Sequence, residues 1–174
     1  MINELLEAGQ EEIQMIIFQL GYEEYAVPIT TVQEIIMAQE ATRIPKAPAY
    51  VEGVINLRGH IIPVIDGRKK FNFDNLSTEK TSETRVMVLE IDEEMMGLIV
   101  DSVSEVVHLS AKDIEPPPIE MDSDTDFLWG VGKYQDRLLI LLNPQKFLNL
   151  DEDVNYNKIA EVAELVKITA EAAN

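Results

Sequence analysis

Gly53-Val54-Ile55-Asn56-Leu57-Arg58-Gly59-His60-Ile61-Ile62-Pro63-Val64-Ile65-Asp66-Gly67-Arg68-Lys69-Lys70-Phe71 is the stretch from which the fold is read. Two apolar runs rich in β-branched residues, Val51 to Leu57 and Ile61 to Ile65, are separated only by Arg58, Gly59 and His60. A gap that short with a glycine in it predicts a β-hairpin. Gly59 takes a positive φ at no steric cost, and Arg58, a guanidinium that resists burial without a partner, belongs at the tip or shoulder of the turn. On spacing alone, a soluble turn explains both residues as well as a functional one does.

Outward from the hairpin, the N-terminal side reads as more short strands. Ile13 to Leu20 is a strand candidate, Gly21 to Glu24 a turn, and Tyr25 to Ile29 a second strand whose Pro28 marks an edge or a strand end. Thr30 to Ile36 fits a helical turn or a third strand, and periodicity does not separate the two. Arg43-Ile44-Pro45-Lys46-Ala47-Pro48 is a proline-punctuated loop that delivers the chain to the hairpin. The polar stretch from Asp74 to Glu83 is the best candidate boundary, and residues 1–12 read as an acidic tail.

Beyond that boundary the pattern repeats. At an offset of 71, Tyr25-Ala26-Val27-Pro28-Ile29, Val32 and Glu34-Ile35 fall on Met96-Gly97-Leu98-Ile99-Val100, Val103 and Glu105-Val106, while Ile16–Leu20 falls on Met87–Ile91. Further on, Gly53-Val54 and Ile61–Ile65 match Gly130-Val131 and Leu138–Leu142, and each copy ends in Lys-Phe. Each half then supplies about five short strands, which suits a small closed barrel without exposed edges. Two such barrels side by side leave a groove between them. The expected division is one subdomain over about 13–75 and another over about 84–150, with the chain free to cross between them.

After a short helical turn at Asn143–Leu148, the acidic Asp151-Glu152-Asp153 leads to a helix expected from about Asn157 to Ala173. Ile159, Val162, Ala163, Val166 and Ala170 share one face of it, for docking on the barrels or binding a partner. The expected fold class is therefore all-β with a C-terminal helix.

Composition narrows the function. The 174 residues are 46% hydrophobic and 26% charged, which argues against a disordered chain. Thirty-two acidic residues against 14 basic ones give a formal charge of −18, which repels a nucleic-acid backbone. The longest apolar run falls short of the roughly 20 residues of a membrane helix, and the N-terminus lacks a basic n-region, so a cytoplasmic protein without direct membrane insertion is expected. The absence of cysteine removes thiolate catalysis, disulfides and Cys-ligated zinc.

Searches for chemistry return little. Asp122-x-Asp124-x-Asp126 opens like a calcium loop, but Phe127 stands where Gly is required and Lys133 where a bidentate Glu is required. Gly130-Val131-Gly132-Lys133 lacks the upstream glycine of a phosphate loop, and Tyr134 replaces its Ser or Thr. His60 and His108, the two histidines, lie in different halves, and neither has a Cys or an evident Ser-Asp set nearby. Glu34 and Glu105 form a repeat-related carboxylate pair, which duplication explains more simply than acid/base catalysis. No catalytic residue, metal site or cofactor is expected.

Glu52-Gly53-Val54-Ile55-Asn56-Leu57-Arg58-Gly59 followed by Ile62-Pro63-Val64-Ile65-Asp66 resembles the signature of the CheW family of bacterial chemotaxis adaptors. Tyr25-x-Val27-x-Ile29-x-x-Val32-Gln33-Glu34-Ile35, Gly97-Leu98-Ile99-Val100-Asp101-x-Val103 and Leu138–Asn143 resemble it too, in the same order, over roughly residues 12–150. The resemblance implies two intertwined five-stranded SH3-like barrels and a non-enzymatic role coupling transmembrane chemoreceptors to the histidine kinase CheA. The length favours a stand-alone adaptor over a chain with added kinase or receiver domains. By the same resemblance, Val32, Glu34, Ile35, Arg58 and Gly59 match positions linked to receptor and kinase coupling, and Val100 and Val103 match the groove that receives the receptor tip. The implied partners are the regulatory domain of CheA and the cytoplasmic tip of methyl-accepting chemoreceptors. The chain itself is expected to be monomeric and recruited to receptor arrays. Core packing for the apolar residues, and mutual pairing of Glu34 with Arg58, stand beside that reading. An equivalent adaptor in another chemosensory pathway, or a small-molecule-binding β-barrel, is the alternative.

Overall fold

A computed structural model describes residues 11–71, 79–117 and 127–147, and these residues are mostly β-strand. The C-terminal helix, the acidic 151–153 segment, the Asp122–Asp126 stretch and most of the N-terminal tail lie outside the described residues. Eleven strands run in order: β1 (Glu12–Leu20), β2 (Glu23–Pro28), β3 (Val32–Met37), β4 (Val51–Leu57), β5 (His60–Asp66), β6 (Arg85–Ile91), β7 (Glu94–Val100), β8 (Ser102–Ser110), β9 (Ile114–Glu115), β10 (Leu128–Tyr134) and β11 (Arg137–Leu142). Two one-turn helices, α1 (Gly67–Lys70) and α2 (Pro144–Phe147), follow β5 and β11.

The strands form two sheets. One has the order β8-β1-β2-β11-β10-β9 and the other β3-β6-β7-β5-β4. The chain divides into two compact units along these lines, leaving the first between Val32 and Gln33 and returning between Val100 and Asp101. Sheet partners therefore do not follow sequential halves. β1 and β2 pair with β8 and β11 of the second half, and β6 and β7 close the sheet that holds β3 to β5.

The two sheets have the same pairing scheme. In one, β2 runs parallel to β11 with Ala26 opposite Leu141; in the other, β7 runs parallel to β5 with Gly97 opposite Val64. Those residues are related by the repeat offsets. Six strands appear in the first sheet, where five were expected, because the two-residue β9 pairs with β10. Its counterpart in the second sheet is a single bridge from Thr42 to Val54, beside the hairpin strand β4. The Thr30–Ile36 ambiguity resolves into both alternatives in turn: a 3-10 turn at Ile29–Thr31, then β3. Thr31 Oγ donates to the Pro28 carbonyl at 2.7 Å and closes that turn.

Each unit has its own core. In the first, Ile13, Met15 and Ile17 alternate along β1 and meet Ala26, Val107, Leu109, Leu139 and Leu141. On the opposite face of β1, Ile16, Phe18 and Leu20 are buried as well, so Met15–Phe18 is an unbroken buried apolar run. In the second, Ile55, Ile62, Val64, Val86, Val88 and Ile99 form the core, with Ile36, Leu57 and Met95 packed against it.

Tyr25 stacks on Phe18 with ring centroids 6.0 Å apart. Burial, and after it the charge of Glu23, pushes the Tyr25 phenol up to about 12. Because the unfolded chain releases this proton near pH 10 and the folded chain holds it, the stability from the neutral phenol is complete below pH 10 and is lost as pH climbs from about 10 to 12. Urea unfolding across that window is expected to show a steeper alkaline decline in the parent than in Tyr25→Phe. Parallel declines would remove Tyr25 as the cause.

Candidate partner-binding surface

The hairpin turn is tighter than its sequence reads. Leu57 lies opposite His60, leaving only Arg58 and Gly59 in the loop, with φ values of 52° and 86°. Two successive positive φ angles match the right-handed twist of the flanking strands. Asn56 Oδ1 accepts from the Gly59 N–H at 2.9 Å and fixes the turn, while nothing lies within 4 Å of a Cβ built at Gly59. The Arg58 side chain is consequently thrown outward.

It meets Glu34. Arg58 Nη2 donates to Glu34 Oε2 at 2.7 Å, with the arginine side chain 77% exposed and the glutamate 21%. Along the sheet order, β3 lies three strands from β5 and four from β4. In a flat sheet that is roughly 14 Å or more, so the contact requires the sheet to curl. An exposed pair of this kind contributes about 1 kcal/mol or less to stability. Its main effect is to orient Arg58.

β3 also exposes apolar residues, on its other side. Val32, Glu34 and Ile36 alternate half-buried with exposed Gln33, Ile35 and Met37, and the last two are 38% and 69% exposed. Ile35 and Met37 share one side of the strand. Gln33 donates to Glu90 of β6.

Of the residues matched by resemblance, Glu34, Ile35, Arg58 and Gly59 thus come together on β3 and the adjoining turn. Val32 begins β3, half-buried. Val103 lies half-buried on β8, in the other unit. Val100 ends β7 at 1% exposure and presents almost no surface within this chain.

The first unit carries a related constellation. Glu105, the repeat partner of Glu34, accepts from Arg137 Nη1 at 2.7 Å. Arg137 also donates through Nε to Glu24 at 3.2 Å and through Nη2 to the same carboxylate. Hydrogen bonds to Glu24, then to Glu105, raise the guanidinium above its ordinary range. Val106, Leu138 and Tyr22 are exposed large hydrophobics of this unit. The two repeat-related glutamates are each held by an arginine, and they lie in different units.

Other candidates take structural roles. Gly130 to Lys133 runs within β10 rather than forming a loop, and Lys133 bonds Glu115 at 2.7 Å. His60 opens β5, and His108 lies 3.9 Å from Glu12. Among the described residues there is no group of three or more His, Asp or Glu side chains that could hold a metal, and no helix is long and apolar enough to cross a membrane.

Comparison with known proteins gives this geometry its context. A family model, the CheW-like domain, matches residues 14–152. The chain belongs to the CheW family. It is 39% identical over 154 residues to the chemotaxis protein CheW of Klebsiella aerogenes, covering 88% of this chain and 90% of that protein. It is 36% identical over 146 residues to the chemotaxis protein CheW of Helicobacter pylori, covering 83% and 87%. The crystal structure of the scaffolding protein TtCheW from Thermoanaerobacter tengcongensis superposes with a TM-score of 0.73 at 36% identity, covering 80% of this chain and 94% of that one. As a CheW-family protein, the chain is a scaffold of chemotaxis signalling and not an enzyme.

Sequence reasoning missed Met37, Arg137, Glu24, Leu138 and Tyr22. The 71-residue offset did point to Glu105, but the hairpin offset carries Arg58 onto Gln135, two positions short of Arg137. The cation had moved, and a position-by-position match could not find it.

Proposed function

We propose that this CheW-family chain links two partners, the regulatory domain of the histidine kinase CheA and the cytoplasmic tip of methyl-accepting chemoreceptors, from a cytoplasmic position at receptor arrays. The observation that carries the reading is the Glu34–Arg58 pair, which holds an exposed cation on one side of β3, while Ile35 and Met37 are exposed on the other side of the same strand. Exposed apolar anchors and an oriented charge carried by one strand suit protein recognition: the anchors supply affinity and the charge supplies register. Val32, Glu34, Ile35, Arg58 and Gly59 act in partner contact, Val103 contributes from β8, and Val100 contributes by packing. A receptor tip is a helical hairpin, and helices dock through apolar anchors in a groove. Signal transfer then needs a coupling free energy between the two bound partners, typically about 1–3 kcal/mol.

The test is titration of the purified chain with the CheA regulatory domain, then with a receptor cytoplasmic fragment. Arg58→Ala is expected to weaken at least one complex about tenfold, roughly 1.4 kcal/mol, while melting within a few degrees of the parent because the exposed pair stabilises little. Glu34→Lys, which sets a like charge against Arg58 and reverses the potential offered to the partner, is expected to weaken it further. Unchanged affinity of both variants for both partners would sink the assignment of this surface, and a large drop in melting temperature for Arg58→Ala would make the arginine structural.

A further inference from the structure

The unit holding β3 to β7 is continuous in sequence from Gln33 to Val100, and it is inserted into the other unit between β2 and β8. Both attachment points are fixed on the host sheet. There β2 and β8 flank β1 on either side, with Pro28 opposite Met15 and Ser102 opposite Gln19. On the outgoing side, the Thr31 hydroxyl bonds the Pro28 carbonyl at 2.7 Å. On the returning side, the Asp101 N–H donates to the Gln19 carbonyl at 2.9 Å, and Asp101 Oδ2 accepts from the Gly21 N–H at 2.7 Å.

We infer that these two crossings couple the stabilities of the units, so that a ligand bound to one raises the stability of both. The reason is loop closure. When the insert is folded, β2 and β8 are joined through a fixed body. When it unfolds, the same two strands must be held together across a flexible loop of about 70 residues, a closure penalty worth roughly a thousandfold in the host's folding equilibrium. Linkage makes the effect reciprocal: a folded host pins the ends of the insert and favours its folding by the same factor. Local unfolding thereby connects the Arg58 surface of the insert and the Arg137 surface of the host through the chain itself. The inference rests on strand pairing and chain order, and not on which partners bind.

The test uses the full chain and two probes. Trp129, the single tryptophan, lies on β10 and packs against the host core, so its fluorescence reports the host. A Trp129→Phe/Met37→Trp variant reports the insert from β3. Val88→Ala removes two methyl groups from the fully buried core of the insert, and Ile62→Val is a gentler version should the first fail to fold. The expected result is one shared urea transition in which the Trp129 midpoint falls together with that of the insert probe. The inference is overturned if Trp129 keeps its parental midpoint in both core variants while the insert probe shifts.

Discussion

Gly53→Ala is expected to lower the unfolding free energy by about 3–5 kcal/mol, which is large against a typical total of about 5–15 kcal/mol. Gly53 has a φ of 144°, a region almost closed to residues with a side chain, and an added Cβ would lie 2.2 Å from the Thr42 carbonyl oxygen and 2.7 Å from its carbon. That obstacle is backbone, and it is tied in place. The Thr42 N–H donates to the Val54 carbonyl at 2.8 Å, and the Val54 N–H returns a bond to the Thr42 carbonyl at 2.9 Å. Relief therefore means breaking a bridge of two hydrogen bonds, each worth about 1 kcal/mol, on top of about 1–3 kcal/mol of conformational strain. The β-bulge in the hairpin at this position supplies the room for the approach. Gly59→Ala serves as the contrast: its φ of 86° is also strained, but the space around it is open, so a loss of only about 1–2 kcal/mol is expected. Urea denaturation of both variants decides the matter, and equal losses would mean that φ alone, not the approach of Thr42, sets the cost. Gly130 repeats the close approach, its Cβ falling 2.3 Å from the Glu115 carbonyl oxygen, but without the positive φ, so Gly130→Ala is expected to lose less than Gly53→Ala.

The glycines show why part of this fold was legible and part was not. Apolar runs and β-branching located β1, β2, β4 and β5 to within a few residues, because those signals are local, and the match to the hairpin pointed to β10 and β11. The repeat at offset 71 was also a local matching exercise, and its members occupy equivalent places in the two sheets. Which strands lie next to each other is a different matter. Nothing in the composition of β1 states that its neighbour is β8, some 90 positions away, since partner choice is decided by the joint burial of both strands. Turn conformation was only half legible: Gly59 announced a positive φ, but Arg58, Asp92, Glu93, Gln135 and Asp136 adopt one without being glycine, under the twist of their flanking strands. At the candidate surface, Glu34 and Arg58 were found because the motifs that carry them are contiguous. The Arg137–Glu24 contact spans 113 positions and has no such motif. Met37 was missed because the segment was read only as far as Ile36, whereas β3 continues through Met37, which is exposed.

Asp66→Ala is expected to cost about 3 kcal/mol, and the repeat itself contains the control. Asp66 caps α1: its Oδ1 accepts from the Arg68 N–H at 2.9 Å and the Lys69 N–H at 3.4 Å, and the carboxylate also lies 3.8 Å from Arg68 Nε. Both side chains are almost fully buried. Losing the cap alone costs about 1 kcal/mol. Removing the carboxylate from beside a buried guanidinium adds to this, since breaking a buried pair typically costs about 3–5 kcal/mol when the pair is close and less at this separation. At the equivalent position before α2 the chain has Asn143, and where the first half has Arg68 the second has Gln145. The half without the arginine is also the half without the carboxylate. That correspondence predicts an order among variants: Asp66→Asn, which keeps an acceptor for the cap but withdraws the charge, should lose about 1–2 kcal/mol, and adding Arg68→Gln should recover at least half of it by removing the buried cation beside it. Urea midpoints of the two single variants and the double variant give the coupling directly. If the double variant is no more stable than Asp66→Asn, the carboxylate serves only as a cap, and the charge of Arg68 is satisfied elsewhere.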